Sequence, residues 1–68
     1  PAMKLHYDPK TDAIYLRLGE AKIVESEEIR PGIVLDFDNQ DRVVAVEILN
    51  VRKQFPEADP DDLRLDVA

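Results

Sequence analysis

Fifteen acidic residues, one histidine and no cysteine set the terms for any chemistry this 68-residue chain carries. Without cysteine there is no thiolate nucleophile or thiolate metal ligand, and a lone His6 excludes a multi-histidine site within one chain. What remains is carboxylate chemistry. Asp36, Asp38, Gln40 and Glu47 fall on the first, third, fifth and twelfth places of a calcium-binding loop. Such a loop needs glycine at its sixth place and a helix on each side. Asp41 stands there instead, and both flanks read as strands, so hairpin-turn roles are expected for these acids. A second constellation is Asp8 and Asp12 in one loop with Asp38 and Asp41 in another. If two hairpins stack about a pseudo-twofold, these four carboxylates would meet at one end of a sheet, as a divalent-metal patch or an acid/base pair. Carboxylate catalysis needs a pocket that perturbs pKa, and short hairpins on so small a domain rarely build one. Solvated turn acids are the expectation. His6 alternates with Leu5 and Tyr7 and has no serine or second histidine at a motif spacing, so it is expected at a surface or an edge. Gly19 and Gly32 are isolated, which leaves no phosphate-cradling loop. The chain is therefore expected not to be an enzyme, with no catalytic residue, no cofactor and no metal.

The elements that hold these residues are written twice. Leu5 to Leu18 aligns without a gap on Leu35 to Ile48: Leu5, Tyr7 and Asp8 meet Leu35, Phe37 and Asp38, and Ile14, Leu16 and Leu18 meet Val44, Val46 and Ile48. Each copy is an alternating run, a polar loop and a second alternating run, the pattern of a half-buried hairpin. Strands are expected at Met3–Tyr7, Ala13–Leu18, Ile23–Ile29, Ile33–Phe37 and Val43–Val51, with Arg30-Pro31-Gly32 as a break. Every connection is too short for a parallel crossover, so the fold class is mainly β, a small antiparallel meander built from two similar hairpins. In the tail, Asp59-Pro60-Asp61-Asp62 carries a helix-start signal, but Leu63, Leu65 and Val67 alternate like a strand. A short C-terminal helical turn followed by an extended end is expected.

Ile14, Leu16, Leu18, Leu35, Phe37, Val44, Val46 and Ile48 are the expected core. The other face of the last strand carries Val43, Ala45, Leu49 and Val51, with Glu47 its one charge. A solvated antiparallel face is normally polar. Something is expected to cover this one: the C-terminal segment with Phe55, Leu63, Leu65 and Val67, or a second subunit. A chain this short buries a small share of its surface, and self-association is the common remedy without disulfides or metals. A twofold homodimer is expected, with Val43, Ala45 and Leu49 as candidate contacts.

One domain is expected over residues 3–68, with Pro1 and Ala2 a remnant ahead of Met3 and residues 52–68 a tail. Net charge is −6, and the basic residues are scattered, which argues against nucleic acid. A basic protein partner suits the charge, and Glu25, Glu27 and Glu28 are the candidate residues that would steer it. No apolar run reaches membrane length and no secretory h-region follows Met3, so a cytoplasmic protein with no membrane partner is expected.

The runs Tyr7-Asp8-Pro9-Lys10-Thr11-Asp12-Ala13-Ile14-Tyr15-Leu16-Arg17-Leu18, Pro31-Gly32-Ile33-Val34-Leu35-Asp36-Phe37-Asp38 and Val43-Val44-Ala45-Val46-Glu47-Ile48-Leu49 resemble the short prokaryotic proteins of domain-of-unknown-function family 2283. The resemblance covers Lys4 to Val51. Where the family usually has glycine, this chain has Asp41 and Ala45. The resemblance implies a compact β-sheet protein with no assigned activity and no catalytic residues, and some members look like the smaller partner of toxin–antitoxin-like pairs. Three functions stay open: a protein–protein interaction module, antitoxin-like toward a small basic protein; a carboxylate- or metal-dependent small enzyme; and a small-ligand-binding regulatory domain.

Overall fold

The computed structural model describes residues 2–68, so the reading of Pro1 lies outside the described residues. Five strands form one open antiparallel sheet: β1 (Lys4–Asp8), β2 (Ala13–Arg17), β3 (Glu25–Arg30), β4 (Ile33–Phe37) and β5 (Val43–Ile48). A four-residue helix, α1 (Val51–Gln54), follows. The mainly β antiparallel fold is as expected. The strand order is not that of a meander, however: it runs β1-β2-β5-β4-β3. Each hairpin pairs locally, and the two are then joined through their second strands.

That joint explains the repeat. β2 and β5 pair antiparallel with Leu16 opposite Val46, the two residues that hold the same place in the two copies. Ile14 faces Ile48, and Leu18 donates its N–H to the Val44 carbonyl at 2.8 Å. A local twofold therefore passes through the Leu16–Val46 pair. It sends the two hairpin loops to opposite ends of the sheet, so Asp8 and Asp12 do not meet Asp38 and Asp41. The gap-free alignment breaks at one point. Between Asp36 and Phe37 the β4–β5 register shifts, with Phe37 opposite Val43 but Asp36 opposite Ala45. This bulge gives the second hairpin a longer loop than the first.

Strand five ends sooner than the alternation suggests. Asn50 adopts a left-handed backbone (φ 52°), which terminates the strand and turns Val51 into the first residue of α1. The helical turn thus lies before the proline-rich tail rather than within it. At Asp59, the side chain accepts the Asp61 N–H and the carbonyl accepts the Asp62 N–H, both at 3.0 Å. The helix-start signal makes a turn there, and no helix follows.

Register divides the side chains cleanly. Leu5, Tyr7, Ile14, Leu16, Ile33, Leu35, Val46 and Ile48 share one face, with Glu25 and Glu27 of β3 at its margin. Lys4, His6, Ala13, Tyr15, Arg17, Ala45, Glu47, Val34, Asp36, Ser26 and Glu28 share the other. Among the described residues the only further element is the four-residue α1, so no second sheet or helix layer lies over either face. The expected eight-residue core is corrected accordingly: Val44 is buried, six of the others are half-buried, and Leu18 is exposed. Among the described residues the buried apolar side chains are Ala13, Val44, Ala45 and Val51, with Pro60 in the tail. The tail does not provide the missing cover, since Leu65 is 89% and Val67 80% exposed.

Candidate functional site

The polar face carries its titratable groups in two rows across the sheet. One row runs His6, Tyr15, Glu47, Val34 and Glu28; the next runs Lys4, Arg17, Ala45, Asp36 and Ser26. The His6 and Tyr15 rings stack with centroids 6.4 Å apart. Where β4 and β5 adjoin, Asp36 is the largest fully buried side chain, at 2% exposure. Ser26 donates its hydroxyl to Asp36 Oδ1 at 2.5 Å. The Glu47 carboxyl hydrogen-bonds Asp36 as well, and this contact, reinforced by burial and by the Asp36 charge, pushes the Glu47 pKa up to about 7. Glu47 therefore titrates near neutral pH rather than in the ordinary carboxylate range.

Sequence reasoning placed Asp36 and Glu47 in a rejected calcium pattern and missed their pairing. One signal was available. Each is the single charge inside an apolar run, Val34-Leu35-Asp36-Phe37 and Val44-Ala45-Val46-Glu47-Ile48, and those runs form the two adjoining inner strands. Two acids on neighbouring strands must share solvent or share a proton.

The loop acids do turn and capping work. Asp8 accepts the Lys10 N–H at 2.9 Å. Asp38 accepts the N–H groups of Gln40 and Arg42 and the Arg42 Nε–H, all at 2.9 Å. The Arg42 backbone hydrogen bond is the largest influence holding the Asp38 pKa below the ordinary carboxylate value, although burial opposes it. Asp12 does something the spacing did not indicate. It accepts the Tyr7 hydroxyl at 2.8 Å and receives the Arg52 N–H on both oxygens, at 3.3 and 3.0 Å. The Val51 N–H reaches the Asp12 carbonyl at 3.0 Å. Asn50 supplies no side-chain cap to α1, so an aspartate forty residues away supplies it. Partial burial, then the bond to Asp12, raise the Tyr7 phenol pKa.

The candidate contact residues separate. Glu25, Glu27 and Glu28 all lie on β3, an edge strand exposed at each of its six residues. Glu25 and Glu27 lean to the apolar face, while Glu28 lies on the polar one and accepts the Gly32 N–H at 3.2 Å. Val43 is 37% exposed beside the bulge. Ala45 is buried within the chain, and Leu49 is half-buried, its carbonyl held by the Gln54 side chain. They form no continuous apolar patch, because the bulge interrupts the alternation and α1 takes over after Asn50.

A shallow concavity of about 360 Å³ opens at the second loop, lined by Leu18, Gly19, Glu20, Asp38 and Arg42 among others. It contains neither Asp36 nor Glu47. No group of three or more potential metal ligands occurs among the described residues, and no described helix is long and apolar enough to cross a membrane. No curated protein and no solved structure matches the chain. The family model described as "Protein of unknown function (DUF2283)" matches residues 4–52, the whole sheet and the first two residues of α1, and the chain belongs to that family.

Proposed function

We propose that this protein is a non-catalytic interaction module that takes up a basic, extended segment of another protein along β3. The observation that carries the reading is the state of that strand. It closes the sheet on one side, pairs only with β4, and is exposed at all six residues. Its outer edge offers unpaired N–H and C=O groups, the template on which another strand adds. Glu25 and Glu27 bring negative charge to it, and the chain as a whole carries −6. A segment alternating lysine with β-branched residues fits both requirements, as an antitoxin-like partner of a small basic protein would need. Absence of cysteine supports a reducing, cytoplasmic setting.

The test uses a fluorescent peptide of alternating lysine and valine, titrated with the full chain and read by anisotropy. Binding is expected that weakens with salt and in Glu25→Lys/Glu27→Lys, while the acidic counterpart peptide does not bind. Lack of binding, or binding indifferent to both salt and charge reversal, overturns the reading. The second reading, a carboxylate enzyme, draws support from the Asp36–Glu47 proton. The concavity at the second loop does not include that pair, and Glu47→Gln distinguishes this reading by abolishing any hydrolytic activity.

A further inference from the structure

We infer that the apolar face of the sheet is the interface of a face-to-face homodimer, in which a second copy of this chain provides the missing layer. The inference does not depend on the β3 reading, which concerns an edge and a different partner. It rests on three observations. First, the chain is one layer thick, and the buried apolar residues of its sheet and α1, Ala13, Val44, Ala45 and Val51, are small. Leu5, Leu16, Leu18, Leu35, Phe37 and Val46 lie on one face, and none of them is fully buried. Second, the chain exposes more surface than a compact monomer of its mass. The accessible surface is 5445 Å², whereas a compact monomer of 7.8 kDa exposes about 4,400 Å². The extended tail carries part of the excess, and Leu5 and Leu18 on the apolar face, 49% and 36% exposed, carry another part. Third, charge selects this face over the other. Strands β1, β2, β4 and β5 place no ionisable acid or base on it apart from the Tyr7 phenol, and Glu25 and Glu27 stand only at its β3 margin. The opposite face presents Lys4, His6, Arg17, Asp36 and Glu47. Two copies of a chain with net charge −6 repel each other, and they approach at least penalty where both surfaces are uncharged.

The chain's own tail is the competing occupant. It leaves Leu63 at 41%, Leu65 at 89% and Val67 at 80% exposure, so its apolar residues are not on the sheet. Of the expected contacts, Val43 pairs with Phe37 on this face, Ala45 lies on the opposite one, and Leu49 lies beyond the end of β5.

Sedimentation equilibrium of the full chain tests it, with Leu5→Lys and Leu18→Lys. Both positions are exposed within one chain, at 49% and 36%, so the variants keep the sheet, as far-ultraviolet circular dichroism checks. A dimer is expected whose dissociation constant rises about tenfold or more in either variant and is unchanged in Leu65→Lys. A monomer at high micromolar concentration overturns the proposal. So does a dimer that resists both face variants but dissociates in Glu25→Lys/Glu27→Lys, which would assign association to the β3 edge. Should the face variants unfold, isotope-filtered NOE spectra of a mixed labelled and unlabelled unmodified sample decide the matter. Intermolecular contacts from the Leu16, Leu35 and Val46 methyls support the interface, and their absence overturns it.

Discussion

Glu47 titrates near neutral pH because Asp36 lies beside it, and this gives stability an unusual slope. The Glu47 pKa rises from 4.5 to about 7 on folding, so between those values the folded chain holds more protons than the unfolded one. Its contribution is full below the unfolded value and is lost as pH rises toward the folded one. Asp38 acts in the opposite sense. Its pKa is lowered by the amides of its turn, so its contribution is present above the ordinary carboxylate value and lost on acidification. The melting temperature is therefore expected to be higher near about pH 5 than near about pH 8. Glu47 is only half-buried, so the difference is small, on the order of 1 kcal/mol after solvent screening. Glu47→Gln should abolish most of it, and Asp36→Asn should return the Glu47 titration, followed by carboxyl NMR, toward its ordinary position. A stability that rises steadily from acid to neutral pH in the unmodified chain would refute the shared proton. Asp41 tests backbone strain at the same scale. It has φ 62°, in the place where the family resemblance anticipates glycine. Asp41→Gly relieves the left-handed strain but adds unfolded-state entropy, so a net change within about 1 kcal/mol on the stabilising side is expected in denaturant titrations.

Among the elements, α1 is the one whose existence depends on others. Four residues form no stable helix alone. It persists because it is tied at both ends: Asp12 holds the Arg52 amide at the β1–β2 loop, and the Gln54 side chain reaches the Leu49 and Gly32 carbonyls near the β3–β4 turn. Gly32 is needed there twice over. Its φ is +79°, and a Cβ would stand 2.5 Å from Gln54 Nε2 and 3.2 Å from the Leu49 oxygen. Asp12→Ala removes the helix cap and leaves the Tyr7 hydroxyl without its acceptor, and it should cost about 1–2 kcal/mol. Hydrogen exchange at Gln54 and Phe55, whose amides close this helical turn, should accelerate more than at β5. Equal protection in variant and parent would show that the helix is held some other way. This tie was not legible in the sequence. Alternation through Leu49 and Val51 argues for continued strand, and only the left-handed Asn50 ends it. The hairpins, by contrast, were legible almost residue for residue, since period-2 alternation and polar loops are local signals. Which hairpins then adjoin is non-local, so the β2–β5 joint was missed; the Asp36–Glu47 pair lies diagonally across the β4–β5 hairpin itself and was missed because both acids were read only as a calcium-loop pattern.

For the whole molecule the open question is what shields the apolar face, and the tail gives a direct way to answer it. Alternation in Leu63, Leu65 and Val67 made the tail a candidate cover, yet these side chains are exposed, and the ion pair Arg64–Asp62 ties the segment only to itself, at 3.0 Å. Pro60 is buried, and Asp61 lies close enough to Tyr7 to help raise its pKa, so the chain is docked as far as that turn and not beyond. Truncation after Asp62 should therefore change the unfolding free energy by less than about 0.5 kcal/mol, the range of substitutions that touch nothing. Val44→Ala, at one of the few fully buried apolar positions, should by comparison cost about 2 kcal/mol. If the tail were the second layer, removing it would strip apolar cover from Leu16, Leu35 and Val46 at roughly 25 cal/mol per Å², and truncation would destabilise at least as much as the core substitution. A truncated chain that retains its melting temperature, and whose melting temperature still climbs with protein concentration, leaves a second subunit as the layer, because only an associating species links stability to concentration.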